Sequence, residues 1–247
     1  EDNLLKGEVI MTDSTPVNNN EKQVNIRNFS NPYNVLYVLS RKKSLEVFKS
    51  MSVFQKFTGI FVHDHETAIY HFGMFHGECN VHLMRYLRKN TQETGNSWSC
   101  SMSAFLCGLN QARKDRIKEQ KSCFSEIQLQ RYEQRFDEIM TLAKEQNKHT
   151  RGTIAYKEEK RLINRILKYR ENHLLFLYDF RVPFDNNMSE RDLRKCKNRQ
   201  KMAGGFRSED GISMFCSIMS VVETLKRRKM NILEGIANLF ADKVSLA

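Results

Sequence analysis

Two aspartates stand where oxygen-ligand chemistry can be built. Asp13 follows Val9-Ile10-Met11-Thr12, and Asp64 follows Gly59-Ile60-Phe61-Val62-His63. Each is a short apolar run of the kind that forms a buried strand, and each aspartate is read as the strand's end. Carboxylates at strand ends of an α/β sheet face the crevice beyond the sheet edge, where ligands usually bind. Two or three such oxygens can hold hard divalent cations, which prefer oxygen ligands. A pair of these ions about 3.5–4 Å apart can activate an attacking oxygen and stabilise a leaving one in phosphoryl transfer. Taken singly, each aspartate is more simply a turn residue, because Asp is favoured in turns.

Other residues invite chemistry with less force. Cys79-Asn80-Val81-His82, with His76 upstream, resembles half of a metal site. A closed structural zinc site needs four ligands, so a buried thiol beside a hydrogen-bonded imidazole is the simpler expectation. His63 and His65 flank Asp64, and alternation along a strand points them away from it. Asn187 and Glu190, three apart at a helix start, fit a capping box, in which the Glu side chain reaches back to the cap amide. The spacing serves a cap and a metal ligand equally well. Beyond Glu190 the chain is dense in cations: Arg191, Arg194, Lys195, Lys197, Arg199, Lys201 and, after Gly204-Gly205-Phe206, Arg207. At helical spacing such residues can follow a phosphate backbone, and the glycine pair can bring backbone amides to a phosphate. Otherwise they form a solvated helix end. Trp98, the sole tryptophan, suits a core anchor first and a stacking platform for an unpaired base second.

The elements that must position these residues change character along the chain. Val9–Thr12, Gln23–Phe29 and Val35–Leu39 read as three strands, with turns at Asn18-Asn19-Asn20 and Asn31-Pro32-Tyr33-Asn34, which predicts an antiparallel meander. Ser44 caps a short helix, Gly59–Val62 forms a buried strand, and short helices follow near Thr67 and from His82 through Lys89. Between residues 99 and 180 there is no proline. There Met102, Phe105, Leu106 and Leu109 share one helical face, Leu129, Tyr132, Phe136, Ile139, Met140 and Ala143 another, and Leu162, Ile163, Ile166 and Leu167 a third. A helix carrying Glu190 and ending at Gly204-Gly205, then an amphipathic helix over 212–225, complete the reading.

Bulk properties set the context. The 247 residues hold 40 Lys and Arg against 29 Asp and Glu, a formal charge of +11 that points to a polyanionic partner, nucleic acid above all. Six cysteines without a close pair suit reduced, mostly buried thiols. No apolar run approaches the ~18 residues that span a bilayer, and no signal peptide opens the chain, so a cytoplasmic location is expected. The chain opens on Glu1, as a piece of a longer polypeptide would.

The run Pro183-Phe184-Asp185-Asn186-Asn187-Met188-Ser189-Glu190-Arg191-Asp192-Leu193-Arg194 and the later Gly204-Gly205-Phe206-Arg207-Ser208-Glu209-Asp210-Gly211 resemble the signature of the insertion-sequence-66 family of transposases. The match continues in order with Asp13, with Val62-His63-Asp64, and with Cys79, His82, Leu83 and Arg85. Where the family pattern places Glu-Thr after the first aspartate, this chain has Ser14-Thr15. The resemblance implies Asp13, Asp64 and Glu190 as catalytic, metal-binding residues of an Asp-Asp-Glu enzyme holding two Mg2+ ions, which Mn2+ can replace. It also implies that Cys79 and His82 flank the active site as accessory residues. The expected fold is α/β, a ribonuclease-H-like core of mixed sheet and helices over residues 1–98 and 181–247, interrupted by an all-helical insertion over 99–180. The expected function is magnesium-dependent cleavage and strand transfer of DNA by a bacterial transposase at the nucleoid. Expected partners are element ends, target DNA, further copies of the chain and companion proteins of the element. A nuclease or resolvase on the same core, and a catalytically inactive DNA-binding derivative, are the alternatives.

Overall fold

In the computed structural model, residues 1–241 are described. A short helix α1 (Asp2–Leu5) leads into strands β1 (Val9–Asn19), β2 (Lys22–Ser30) and β3 (Val35–Ser40), then helices α2 (Leu45–Lys49) and α3 (Ser52–Lys56), strand β4 (Ile60–His63), a 3-10 turn (Thr67–His71) and strand β5 (Phe75–Glu78). The five strands form one mixed sheet in the order β3-β2-β1-β4-β5. β1 and β2 are antiparallel, as are β2 and β3, while β1 and β4 run parallel. The meander is as the alternation predicts, and β4 lies where the Ile60–Val62 run places it.

Three details differ from the sequence reading. β1 runs eleven residues to Asn19, so Asp13 lies inside a strand, not at its end. The extension pairs with β2 from Met11–Ser30 to Asn19–Lys22, whereas β4 covers β1 only from Val9 to Met11. The hairpin turn accordingly sits at Asn20-Glu21, both at positive φ (46° and 67°), which is the two-residue turn matched to strand twist. Helix α3 and strand β5 are too short, and too weak in periodicity, to be read from sequence.

The sheet is buried on both faces because both carry apolar side chains. Ile10, Phe29 and Phe61 pack with Leu4, Phe48 and Phe54 on one side. Val17, Val24, Ile26 and Tyr37 pack with Leu193, Cys196, Ile212 and Cys216 on the other. Arg27 is fully buried over the Phe48 ring (4.4 Å), bonded to Glu66 at 2.6 Å and to Thr12 at 3.1 Å.

Helices α4 (Asn80–Thr94), α5 (Ser97–Lys118), α6 (Glu126–His149), α7 (Ile154–Lys168) and α8 (Arg170–Tyr178) follow. By its contacts the chain divides into two compact units, Gly77–Asp185 being one and Glu1–His76 with the chain from Asn186 onward the other. Within the helical unit the predicted apolar faces are buried at Met102, Leu106, Leu109, Phe136, Ile139, Met140, Ala143, Ile163 and Ile166. A buried carboxylate ties its helices together. Glu159 accepts hydrogen bonds from Asn90 (3.1 Å), Asn96 (2.7 Å), Trp98 (2.7 Å), Asn147 (2.8 Å) and Thr150 (3.1 Å). Burial alone would raise its pKa, and these donors overcome that and lower it.

The chain then returns to the sheet-bearing unit with helices α9 (Asn187–Ala203), α10 (Glu209–Arg227) and α11 (Ile232–Phe240). Helix α9 ends at Gly204, left-handed at φ 72°. Gly205 follows at φ 149°, and a Cβ there would come to 3.0 Å from the Asn18 carbonyl oxygen. This close approach lets the Phe206 amide donate to Asn18 (2.8 Å) while its carbonyl accepts from the Asn20 amide (2.9 Å). The glycine pair therefore clamps the far end of β1, with the Phe206 amide engaged on that strand. Among the described residues no helix is long and apolar enough to cross a membrane.

Candidate active site

The three expected carboxylates belong to the sheet-bearing unit and come from three elements. The last parallel pair between β1 and β4 is Met11–Val62. Asp13 and Asp64 each stand two residues farther on, at one level of the sheet. Asp13 accepts from the Ser14 amide at 2.6 Å, and among the described residues it forms no ion pair. Burial, and then the charge of Asp64, push its pKa up to about 6, against smaller pulls from the Ser14 amide, Lys43 and Arg27. Glu190, in the first turn of α9, brings a carboxylate oxygen within 4.8 Å of one from Asp64.

Two buried asparagines hold these elements in place, and no sequence pattern singled out their role. Asn186, at the N-cap of α9, donates to the Thr12 carbonyl (3.0 Å) and to Asp64 (3.4 Å). Asn28, on β2, accepts from the Asp13 amide (3.2 Å) and from the Ser189 hydroxyl (2.6 Å), and donates to the Ser189 carbonyl (3.2 Å). Asn28 thus links the backbone of one carboxylate residue to the residue preceding another. The Asn186 run is part of the motif quoted above. Asn28 carries no signal, because its partners are fifteen and 161 residues away.

The N-cap expected at Asn187 is displaced by one residue. Helix α9 starts one residue earlier, with Asn186 as N-cap and no side-chain cap bond. The Glu190 amide donates to the Asn186 carbonyl as an ordinary helical bond (3.1 Å). Asp192 is also accounted for. It is buried, pairs with Arg227 and accepts from Ser30 at 2.7 Å, so it anchors α9 to the sheet.

His63 is fully buried, its Nε2 3.3 Å from His76 Nδ1, with the Tyr70 ring edge-on to His63 at 4.9 Å and tilted against His76 at 4.8 Å. His65 adopts a left-handed backbone at φ 47° and its ring meets Tyr70 at 6.2 Å. In the helical unit, Cys79 Sγ and a ring nitrogen of His82 lie within 4.8 Å, and His82 Nε2 is 2.8 Å from Arg85. Trp98 is fully buried and donates to Glu159, which makes it a core anchor and leaves no ring face for a base.

Of the expected basic residues, Arg191, Arg194, Lys197, Arg199, Lys201 and Arg207 are exposed, and among the described residues none makes an ion pair or side-chain hydrogen bond. Lys195 differs. It is half-buried and paired with Glu223 on α10, so it joins two helices and does not extend the exposed row. Burial lowers its pKa.

The donor chemistry of Asp13, Asp64 and Glu190 fits a hard divalent cation. All three offer oxygens, and the mutual repulsion that raises Asp13 is what a bound cation relieves. Oxygen ligands of this kind, one of them on a helix that also bears exposed cations, suit a protein that processes nucleic acid. Residues 1–214 match the model described as the transposase IS66 family, and the chain belongs to that family. Membership carries a transposase role, and with it DNA as partner. No single curated protein matches the chain.

Proposed function

We propose that this chain is the catalytic domain of a transposase that cleaves and joins DNA strands with magnesium held by Asp13, Asp64 and Glu190. The observation that carries the reading is the placement of Asp13 on β1 and of Asp64 just past the end of its parallel neighbour β4, each two residues beyond the Met11–Val62 pair, with Glu190 within reach of Asp64. The strand order β3-β2-β1-β4-β5, antiparallel through the first three and parallel between β1 and β4, supports a ribonuclease-H-like core. The helical stretch 99–180 is an insertion between the core segments 1–98 and 181–247, of which residues 242–247 lie outside the described residues.

Bound magnesium supplies electrostatic activation of the attacking oxygen and stabilisation of the leaving one. The protein's own contribution is position. Asn28 and Asn186 fix β1, Asp64 and the start of α9, and the exposed cations of α9 with Arg207 hold the phosphate backbone. Cleavage requires water at an element end, and joining requires the freed 3′ hydroxyl at target DNA. Neither step needs a covalent enzyme intermediate.

Asp64→Asn tests the reading. It is expected to abolish magnesium-dependent cleavage with an unchanged circular-dichroism spectrum, and cleavage at the wild-type rate would remove Asp64 from the ligand set. A strand-joining assay on the wild-type protein separates a transposase from a nuclease on the same core.

A further inference from the structure

The helical unit carries a row of cations that the proposed site does not use. On α7, Lys157, Arg161 and Lys168 project within one narrow arc of the helix, four and seven residues apart, with Asn164 between the last two. Lys160 flanks this arc, and Lys148 and Arg151 stand at the turn before the helix. All are exposed, and among the described residues none makes an ion pair or side-chain hydrogen bond, although Lys160 lies over the Tyr156 ring and Lys168 over the Tyr169 ring.

Several other cations of the unit are matched, while Arg88, Lys114, Arg131 and Lys144 are exposed and, among the described residues, form no ion pair. Arg135 pairs with Glu138, Arg170 with Asp137, Lys118 with Asp115, and Lys89 with both Glu93 and Glu158. On α7 itself, Arg165 pairs with Glu78, and Glu159 turns inward to its five donors. The two acids of α7, Glu158 and Glu159, are therefore engaged away from the outer arc. Cations four residues apart repel along a helix, and Lys157 lies in a first turn with no acidic residue, where the dipole disfavours positive charge. The arc works against the helix it sits on, as a surface built for an external polyanion would.

We infer that the outer face of α7 is a second DNA-contacting surface, which binds the sugar–phosphate backbone of duplex DNA without reading sequence. From Lys157 to Lys168 the helix rises about 16 Å, at 1.5 Å per residue. That length matches about five phosphates of one strand at 3.4 Å of duplex axis each. Ammonium and guanidinium groups with an amide between them are phosphate contacts, and nothing along the arc is shaped to enter a groove and read bases.

The inference rests on the DNA-acting reading above, and the experiment keeps the two apart. The affinity of the full chain for a random-sequence duplex is measured over a salt series for three proteins. These are wild type, Lys157→Gln/Arg161→Gln/Lys168→Gln, and Arg194→Ala/Arg207→Ala. Glutamine is a good helix former, and all three replaced side chains are exposed, so the fold is expected to persist, as circular dichroism will show. The expected result is a slope of log affinity against log salt that is shallower by about 2–3 in the α7 variant, from three lost phosphate contacts. A uniform loss of affinity across unrelated sequences should accompany it. If the wild-type slope is retained in the α7 variant while the α9 variant flattens it, α7 is not a DNA surface and the catalytic reading stands. If wild type binds no duplex at all, both fail. Capture of α7 by anionic vesicles, with duplex affinity unchanged by the triple substitution, likewise overturns the inference.

Discussion

Asp13, inside β1, and Asp64, just past the end of the parallel strand β4, each stand two residues beyond the Met11–Val62 pair. Neighbouring strands lie about 4.8 Å apart, so this register brings two like charges together in a largely buried place. The consequence is visible in Asp13, whose pKa is held at about 6 by burial and by Asp64. A carboxylate pair in this state is unfavourable without a cation.

That strain has a pH signature in the metal-free protein. The folded-state pKa of Asp13 lies above its unfolded value, so ionised Asp13 opposes folding above about pH 6. The penalty shrinks as pH falls toward the unfolded value of 3.8, below which it is gone. Asp13→Asn is therefore expected to stabilise the metal-free protein by about 1–3 kcal/mol at pH 8, with a smaller gain at pH 5 and none below pH 4. Thermal melts in chelator, compared between variant and wild type at each pH, check this. A gain that does not change with pH would show that Asp13 is not strained by charge. Magnesium should raise the wild-type Tm and leave the variant's unchanged.

Glu190→Gln separates ligand from helix residue. Helix α9 starts at the Asn186 cap, and glutamine at position 190 keeps the length and hydrogen-bonding capacity of glutamate in the first turn. The metal-free Tm is expected to match or exceed that of wild type, because a charge near Asp64 has gone, while strand cleavage falls at least 100-fold on the usual scale of metal-ligand loss. Retained cleavage would require a different third carboxylate, and Asp192, committed to Arg227 and Ser30, is not available for that role.

Asn28 should couple stability to metal use. Asn28→Ala leaves the Ser189 hydroxyl and the Asp13 amide short of an acceptor, at a cost of about 2–4 kcal/mol for a buried polar network. Because the same side chain sets Asp13 against the start of α9, the magnesium concentration for half-maximal cleavage should rise about tenfold. A lower Tm with an unchanged magnesium requirement would make Asn28 a core residue only.

Lys195 and Arg194 are neighbours with opposite assignments. Lys195→Ala breaks the pair with Glu223, which is nearly buried, and should lower stability by about 1–3 kcal/mol with little change in the salt slope of DNA binding. Arg194→Ala should do the reverse, reducing the slope by about 1 and leaving the melt unaffected. Equal effects of the two on DNA affinity would place Lys195 in the DNA surface after all.

The alternation of apolar residues determined the meander, the β4 run and the amphipathic helices, because burial of one face follows from local spacing. The ordered Asp, Glu and glycine motifs likewise located Asp13, Asp64 and Glu190 along the chain. What spacing could not supply was register. Asp13 reads as a strand end because the apolar run stops at Thr12, yet β2 pairs with β1 seven residues farther, and that pairing is a long-range choice. The glycine pair after α9 reads as an amide cradle, whereas the approach of Phe206 to Asn18, nearly 190 residues away, turns it into a clamp on β1. Lys195 reads as one more cation in a row until α10 brings Glu223 against it, and Trp98 offers a ring until Glu159 closes over its indole nitrogen. Sequence determines which groups are present and how often they recur along an element. Which of them are neutralised, buried or left facing solvent depends on contacts between distant segments, and only the tertiary structure decides those.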